Sequence, residues 1–407
     1  MLKNKYFYVP FLVVIVVSLL FLVSQIPTVK VEPKNLPVGI VNEDTGEIGK
    51  YIYETLLDSA PDAIQLIAYD SVKQMEKEMD ERNLYGGLVI PTDFSQEIAS
   101  LQGENPTYAN LNIYINEGHH PSVASTLETI LISITDNIGK NMANEMLNKM
   151  DEVSEEMEKT ITGQLQNLQS VIDMDAMNPE TVEQLGEITS LISPVQPDQV
   201  QLLASPINAE VIKVNEVGEL ATVPSALFIT VWVSSLLGAM LFYLAGNKLA
   251  FTNIKSKYTF QVTQSILPIV YSLFTGYLIT LFSTWVLDYE FASFHSVALT
   301  LSIALVGFVY LILATLTWLK TPAIALFGIL MFFGLPLIQM APEMIPEFYQ
   351  SYVLPWLPMR FLIESLKEVL FFNQSVLNHY ANVLLGMSGV SLIIIWLKNL
   401  TIKTIEK

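Results

Sequence analysis

The sequence contains no cysteine and only four histidines. Without cysteine the chain has no disulfide framework, no thiolate metal site and no cysteine nucleophile. His119 and His120 are neighbours, but adjacent helix positions diverge by about 100° and no third ligand is near, so no metal site is expected. Nothing resembles a catalytic triad or a nucleophile elbow, and no enzymatic activity is therefore expected.

A phosphate-binding loop is also missing. No Gly-x-x-x-x-Gly-Lys-Ser/Thr segment occurs in the chain, so no nucleotide cofactor is expected. If ATP drives this protein, a separate subunit has to bind it.

Charged residues are scarce, at 15% of the chain, whereas 51% of the residues are hydrophobic. This composition is too apolar for a soluble globular protein and indicates a membrane protein. The acidic residues are concentrated in residues 27–222, which hold 33 Asp and Glu against 10 Lys and Arg. So negative a region repels nucleic acid and anionic lipid headgroups, and neither is an expected partner of its surface.

Six apolar runs predict six transmembrane helices. The first, from Tyr6 to Ile26, has no charged residue and can cover about 30 Å of hydrocarbon. Its length and the lack of a small-x-small cleavage site favour a retained span over a signal peptide. The others are predicted at residues 223–246, 265–287, 296–319, 322–341 and 382–397. Residues 342–380 are predicted to form an interfacial or re-entrant segment.

Nine lysines flank these spans on one side of the membrane: Lys3, Lys5, Lys248, Lys255, Lys257, Lys320, Lys398, Lys403 and Lys407. The short loop 288–295 on the other side has no lysine or arginine. The positive-inside rule therefore predicts a plasma-membrane protein with both termini in the cytoplasm and residues 27–222 outside. The expected domains are 1–26 with the first span, the acidic outer domain 27–222, and a five-span domain 223–407.

The outer domain alternates between strand and helix patterns. Strands are predicted at 36–41, 64–69, 84–90 and 109–115, and helices at 48–56, 71–82 and 91–101. This order indicates an α/β sandwich. Gly86 and Gly87 lie inside a strand and are expected to allow close backbone packing. A helical period from 122 to 173 predicts a long amphipathic helix or helix pair.

Several segments resemble the phage infection protein (YhgE/Pip) family of bacterial membrane proteins. They are Leu36-Pro-Val-Gly-Ile-Val-Asn-Glu-Asp44, Gly86-Gly-Leu-Val-Ile-Pro-Thr-Asp-Phe-Ser95, Ser205-Pro-Ile-Asn-Ala-Glu-Val-Ile-Lys-Val-Asn215 and Leu354-Pro-Trp-Leu-Pro-Met-Arg-Phe-Leu-Ile-Glu-Ser-Leu-Lys-Glu368. The matching positions, structural in character, are Pro37, Asn42, Asp44, Pro91, Asp93, Phe94, Pro355 and Pro358. The resemblance implies the architecture of an ABC-2-type transporter permease. The outer domain is shorter than in the phage-receptor members, and Lys367 stands where arginine is more usual.

An exporter of that kind needs an ATPase subunit, and the cytoplasmic segment 247–264 is the expected docking element. It combines basic and aromatic residues: Lys248, Phe251, Lys255, Lys257 and Tyr258. The alternative is a basic loop that only follows the positive-inside rule.

Residues 359–372 place Arg360, Glu364 and Lys367 on one face of a predicted helix, with Glu368 beside them. Either these charges form a polar face at the outer mouth of a translocation path, or the helix lies at the interface with exposed ion pairs.

The leading hypothesis is the permease subunit of an ATP-driven, ABC-2-type exporter. It would work as a homodimer or heterodimer with a separate cytoplasmic ABC ATPase. The predicted spans contain no charged residue, which speaks against proton-coupled transport. The alternative is a non-transporting surface protein, of the phage-receptor or type VII secretion-associated kind, that binds a partner through its outer domain.

Overall fold

The computed structural model describes residues 33–101, 106–172, 202–247, 249, 251 and 253–401. It combines an α/β sheet domain with a bundle of apolar helices. The predicted first span and Lys248 lie outside the described residues. Within that part of the chain, four helices are long and apolar enough to cross a membrane. The protein is therefore a membrane protein, while the expected total of six spans is not confirmed.

Five strands form one mixed sheet in the outer domain. They are β1 Leu36–Asn42, β2 Ile64–Ala68, β3 Gly86–Ile90, β4 Ala109–Asn116 and β5 Ile207–Val214. Their order is β2-β1-β3-β4-β5, and all pairs are parallel except β3 with β4. The four predicted strands are confirmed. The edge strand β5 was not predicted, because only its return toward the membrane was expected.

Four helices cover both faces of this sheet: α1 Glu47–Asp58, α2 Val72–Asp80, α3 Phe94–Ser100 and α4 Pro121–Ile172. Side chains alternate along a strand, so Val38 and Ile40 face α1, α3 and α4 whereas Val41 faces α2. A Cβ on Gly87 would lie 2.3 Å from the Met75 sulfur of α2. The predicted close packing at this glycine is thus confirmed.

The bundle helices are α5 Val223–Asn247, α6 Ile254–Val286, α7 Phe294–Leu319, α8 Pro322–Ile338 and, at the end, α11 His379–Leu400. Helix α7 is the central element of the bundle, since 78% of its most apolar 18-residue segment is buried inside the protein. Helix α8 has only 17 residues and is shorter than a usual span. Helix α6 begins eleven residues before the predicted span, because Asn253 caps it and accepts a hydrogen bond from the Ser256 N–H.

Tryptophans mark the two ends of the bundle. Four of the five are exposed, namely Trp285, Trp318, Trp356 and Trp396, and each lies near a helix end. Trp232 alone is buried within the bundle. Tryptophan prefers the headgroup level of a bilayer, so this distribution agrees with a bundle embedded in lipid.

Two short helices fill the segment between α8 and α11: α9 Glu347–Tyr352 and α10 Pro358–Phe371. Helix α10 buries Met359, Leu362 and Leu366 in the core of the bundle. Its opposite, charged face meets the outer domain. The segment is therefore packed into the protein between its two halves.

Candidate functional site

A cavity of about 280 Å³ lies where the outer domain meets the bundle. Its walls come from the loop between α2 and β3, the loop between β4 and α4, the end of α8, helix α10 and the start of α11. The lining residues are Glu81, Arg82, Asn83, Tyr85, His119, His120, Ile338, Met340, Pro342, Leu354, Arg360, Glu364, Lys367, Glu368 and Tyr380. Eleven of these residues are polar or charged and four are apolar.

Arg82 occupies an unusual backbone position at the end of α2. Its φ is 63°, in the left-handed region that favours glycine. The N–H of Arg82 donates to Met79 O and the N–H of Asn83 donates to Glu78 O, which is the Schellman pattern of a helix end. An arginine here costs about 1 kcal/mol relative to glycine. A side chain retained at such a cost is expected to have a specific role.

The Arg82 guanidinium bridges the two halves of the protein. Its Nη1 donates to Glu368 Oε1 at 3.0 Å, and its Nη2 forms a short ion pair with Glu364. These side chains are only 10–16% exposed. Lys367, 7% exposed at its side chain, completes the cluster with a 3.2 Å contact to Glu364 and a hydrogen bond to His119 O. The charges on α10 are therefore buried and hold the outer domain.

Burial alone would raise the pKa of Glu364. The positive charges of Lys367 and Arg82, together with their hydrogen bonds, outweigh burial and hold the pKa of this carboxyl well below its usual range. Burial and the neighbouring Arg82 lower the pKa of Lys367, although Glu364 opposes this shift. The cluster is thus a set of mutually dependent charges in which loss of one member leaves another unpaired.

An aromatic pair forms the next layer of the polar wall. The rings of Tyr85 and His119 stack at 4.1 Å, and the Tyr85 hydroxyl donates to Glu343 at 2.5 Å. Burial lowers the pKa of both His119 and His120 to about 3, with the nearby Arg82 and Lys367 charges adding to the shift. Both imidazoles are therefore neutral at physiological pH.

Arg360 and Tyr380 lie on the same cavity but take no part in the cluster. Among the residues that the structure describes, neither side chain has a hydrogen-bond or ion-pair partner. Arg360 shares a face of α10 with Glu364, yet the cations that contact Glu364 are Arg82 and Lys367. Arg360 is thus a half-buried cation without a counterion in the described part of the chain.

A family model described as a protein of unknown function (DUF3533) matches residues 6–393. The chain belongs to the DUF3533 family. No curated protein matches it. A solved domain described as part of an ABC type-2 transporter from Thermotoga maritima MSB8 is 16% identical, and the match covers 44% of this chain and 84% of that chain. The TM-score is 0.21, which does not indicate a shared overall arrangement. The resemblance to the phage infection protein family is not confirmed.

In this DUF3533 protein the motif residues around Asp44 stabilise loops and the core of the outer domain. Asp44 ties two loops together: its carboxylate accepts hydrogen bonds from the N–H of Ser95 and of Gly46, each at 3.0 Å. Although burial opposes it, the Ser95 hydroxyl and these N–H groups lower the pKa of Asp44. Asn42 accepts from the Asp44 N–H, and Phe94 is buried in the core beside them.

The other motif positions lie within secondary-structure elements or directly beside them. Pro37 lies in β1 opposite Gln65, and Pro358 opens α10. Pro355 lies in a 3₁₀ turn before α10, Pro91 follows β3, and Asp93 precedes α3 without a side-chain cap. None of these residues lines the cavity.

The predicted docking residues separate into two groups. Phe251 is buried and packs on Phe260, with ring centroids 5.1 Å apart. Tyr258 is 67% exposed, and Lys255 is exposed as well. The Lys257 ammonium donates to Leu400 O at 3.4 Å. Among the predicted docking residues that the structure describes, Tyr258 and Lys255 are thus exposed, and so is Ile254, which is 79% exposed and was not predicted.

One signal in the sequence could have identified the cavity. The DUF3533 chain has 21 basic residues, of which only Arg82 and Arg360 are arginines. Both line the cavity. Arginine's planar, five-donor fork suits carboxylates and phosphates in ways that lysine does not. Every other basic residue of the chain is lysine. The two arginines therefore indicate a site that needs the planar, five-donor geometry of the guanidinium group.

Proposed function

We propose that this chain is the membrane-spanning subunit of an ATP-driven exporter. The observation that carries the proposal is a set of exposed apolar side chains: Leu249 before α6, and Ile254 and Tyr258 four residues apart at its start. These residues are 54%, 79% and 67% exposed. Lys255 lies among them, and the lysine distribution assigns this end to the cytoplasm.

The length of α6 argues that lipid tails do not cover this surface. Its 33 residues extend over about 50 Å at 1.5 Å each. The hydrocarbon core takes about 30 Å, and tilt adds only a few ångströms. Counted back from Val286 at the outer end, the hydrocarbon therefore ends near Leu267. Ile254 and Tyr258 lie beyond it, where exposed apolar side chains favour a protein partner.

Because the chain has no phosphate-binding loop of its own, we infer that this partner is an ATPase subunit. Transport against a gradient needs an energy source. The bundle helices that the structure describes contain no Asp or Glu, and their Lys and His residues lie only near the helix ends. Proton-coupled transporters usually have such groups at mid-depth. An ATPase subunit that docks on Ile254 and Tyr258 supplies the missing function. The cavity at the outer end then lies where an exported molecule would leave the bundle.

The test is co-purification from native membranes of a protein that carries a phosphate loop. We expect Ile254→Ser with Tyr258→Ala to reduce recovery of this ATPase at least about tenfold, the effect of losing about 1.4 kcal/mol of binding energy. The matched control is Tyr352→Ala, which removes a 70% exposed tyrosine at the outer end. Equal recovery with the docking and control variants would refute this docking surface.

A further inference from the structure

We propose that the cavity binds the anionic group of an amphipathic molecule, with Arg360 as the cation that meets it and Tyr380 as a hydrogen-bond donor. As a statement about the exported molecule, this inference rests on the proposed function. As a statement about binding, it rests on the cavity alone.

One basic side chain on the cavity wall, Arg360, has no ion-pair partner in the described part of the chain, and it favours an anion as the ligand. Arg82 and Lys367 are matched by Glu364 and Glu368. Glu81 has its own partner outside, the exposed Lys77 at 3.4 Å. Glu343 accepts the Tyr85 hydroxyl and is not part of the lining. The lining as a whole holds three basic and three acidic side chains, so its formal charges balance, but Arg360 is the basic residue that no carboxylate contacts among the described residues.

The position of Arg360 makes that charge costly when the cavity holds no anion. It lies in the first turn of α10, where the helix dipole disfavours a cation. Its charge and that of Lys367 also repel each other. Leu357, which precedes the helix, provides no side-chain cap. An anion bound beside Arg360 would relieve both repulsions and complement the N-terminus of α10.

The apolar residues of the lining would contact the apolar part of the ligand. Ile338, Met340 and Leu354 line the cavity at the end of α8 and in the segment that follows. The volume of about 280 Å³ is close to the lower limit of ordinary small-molecule pockets. It accommodates a headgroup and the first carbons of a tail, while a longer tail would continue into the bilayer.

The acidic outer domain favours an amphiphile over a free anion. A dissolved phosphate or carboxylate would approach through the field of residues 27–222, which carry 33 acidic against 10 basic residues. Beyond about 8 Å salt screens this field, but near the surface it still repels anions. A tail held in the bilayer raises the local concentration of the headgroup and adds apolar burial, and both effects offset that repulsion.

The experiment measures binding of dodecyl phosphate to the full chain, purified in a neutral maltoside detergent, by calorimetry. Saturable binding is expected for the wild type. Arg360→Gln should weaken it at least about tenfold, since a charge-assisted contact is lost. Arg360→Lys should retain part of the affinity, because the charge remains and the two-pronged geometry does not. Tyr380→Phe should cost roughly threefold to tenfold, as expected for one neutral hydrogen bond.

Lys50→Gln is the matched control, because it removes one positive charge from an exposed site on α1 and should leave binding unchanged. A thermal unfolding curve for each variant separates loss of the site from loss of the fold. Wild-type affinity in a folded Arg360→Gln protein, or no saturable binding to the wild type, would overturn the proposal. Inorganic phosphate that competes at equal concentration would overturn the amphiphile and leave a free-anion site. The assay contains no ATPase, so its outcome is independent of the docking experiment.

Discussion

Removal of Arg82 should detach the outer domain from α10. Arg82→Ala leaves Glu364 and Glu368 buried with Lys367 as the only remaining cation of the cluster. Breaking a buried ion pair from one side costs about 3–5 kcal/mol, because the abandoned charge stays desolvated. Alanine is as strained as arginine at this positive φ, so the substitution gains no stability from the backbone. We therefore expect a loss of about 3–5 kcal/mol.

Arg82→Gly tests the backbone part of this reasoning separately. Glycine relieves the left-handed strain, and the variant should be about 1 kcal/mol more stable than Arg82→Ala. Amide hydrogen exchange of residues 358–371 in detergent reports the free energy directly, and intrinsic fluorescence follows global unfolding. The control is Lys77→Ala, since the Lys77–Glu81 pair is 72% and 51% exposed and contributes about 0–1 kcal/mol. If Arg82→Ala loses no more than Lys77→Ala, the cluster does not hold the two halves together.

Three further predictions concern topology, pH and packing. In this cysteine-free chain, a cysteine at Thr107 should react with an impermeant thiol reagent from outside and one at Lys255 should not; labelling of both from outside contradicts the assigned orientation. His119 and His120 have pKa values lowered to about 3, so the unfolded chain binds protons that the folded chain does not, and the melting temperature should fall as pH drops below about 6.5. This dependence should be shallower in His119→Gln, and an identical pH profile would contradict burial of that imidazole. Gly87→Ala should destabilise the fold by about 1–3 kcal/mol, because the added methyl group would overlap the Met75 sulfur. Gly328→Ala is the control, because a Cβ there would meet no atom within 4 Å. Equal melting temperatures of the two variants would contradict close packing at Gly87.

Local periodicity was enough to predict strands β1 to β4 and helices α1 to α4 of the outer domain. Leu36–Asn42 is a mostly apolar run, which predicts a buried strand. Ile48, Ile52 and Leu56 repeat every four residues, which predicts a helix. Strand β5 was missed because Ile207–Val214 is mixed in polarity and follows several prolines. Its register with β4 is set by pairing across about 100 residues. No local pattern contains that information.

The sequence predicted that the charged residues of α10 share a face, but it predicted neither the rest of the cavity lining nor the partner of these charges. Arg360, Glu364, Lys367 and Glu368 do share the cavity wall. The partner that organises them, Arg82, is 282 residues from Glu364, and helical spacing points instead to Arg360. The same limit explains Phe251: an aromatic residue in a basic segment fits a docking surface or a core, and only its packing on Phe260 decides for the core. Tertiary contacts therefore assign the roles that residue type leaves open.

The most direct test of the exporter proposal is ATP hydrolysis by the complex isolated through a tag on this chain and placed in lipid nanodiscs. We predict vanadate-sensitive hydrolysis that co-purifies with the wild-type chain and with Tyr352→Ala, and that is lost from the Ile254→Ser, Tyr258→Ala chain. A chain that inserts in the assigned orientation yet purifies from native membranes without any ATP-hydrolysing partner would contradict the proposal and favour a non-transporting surface protein.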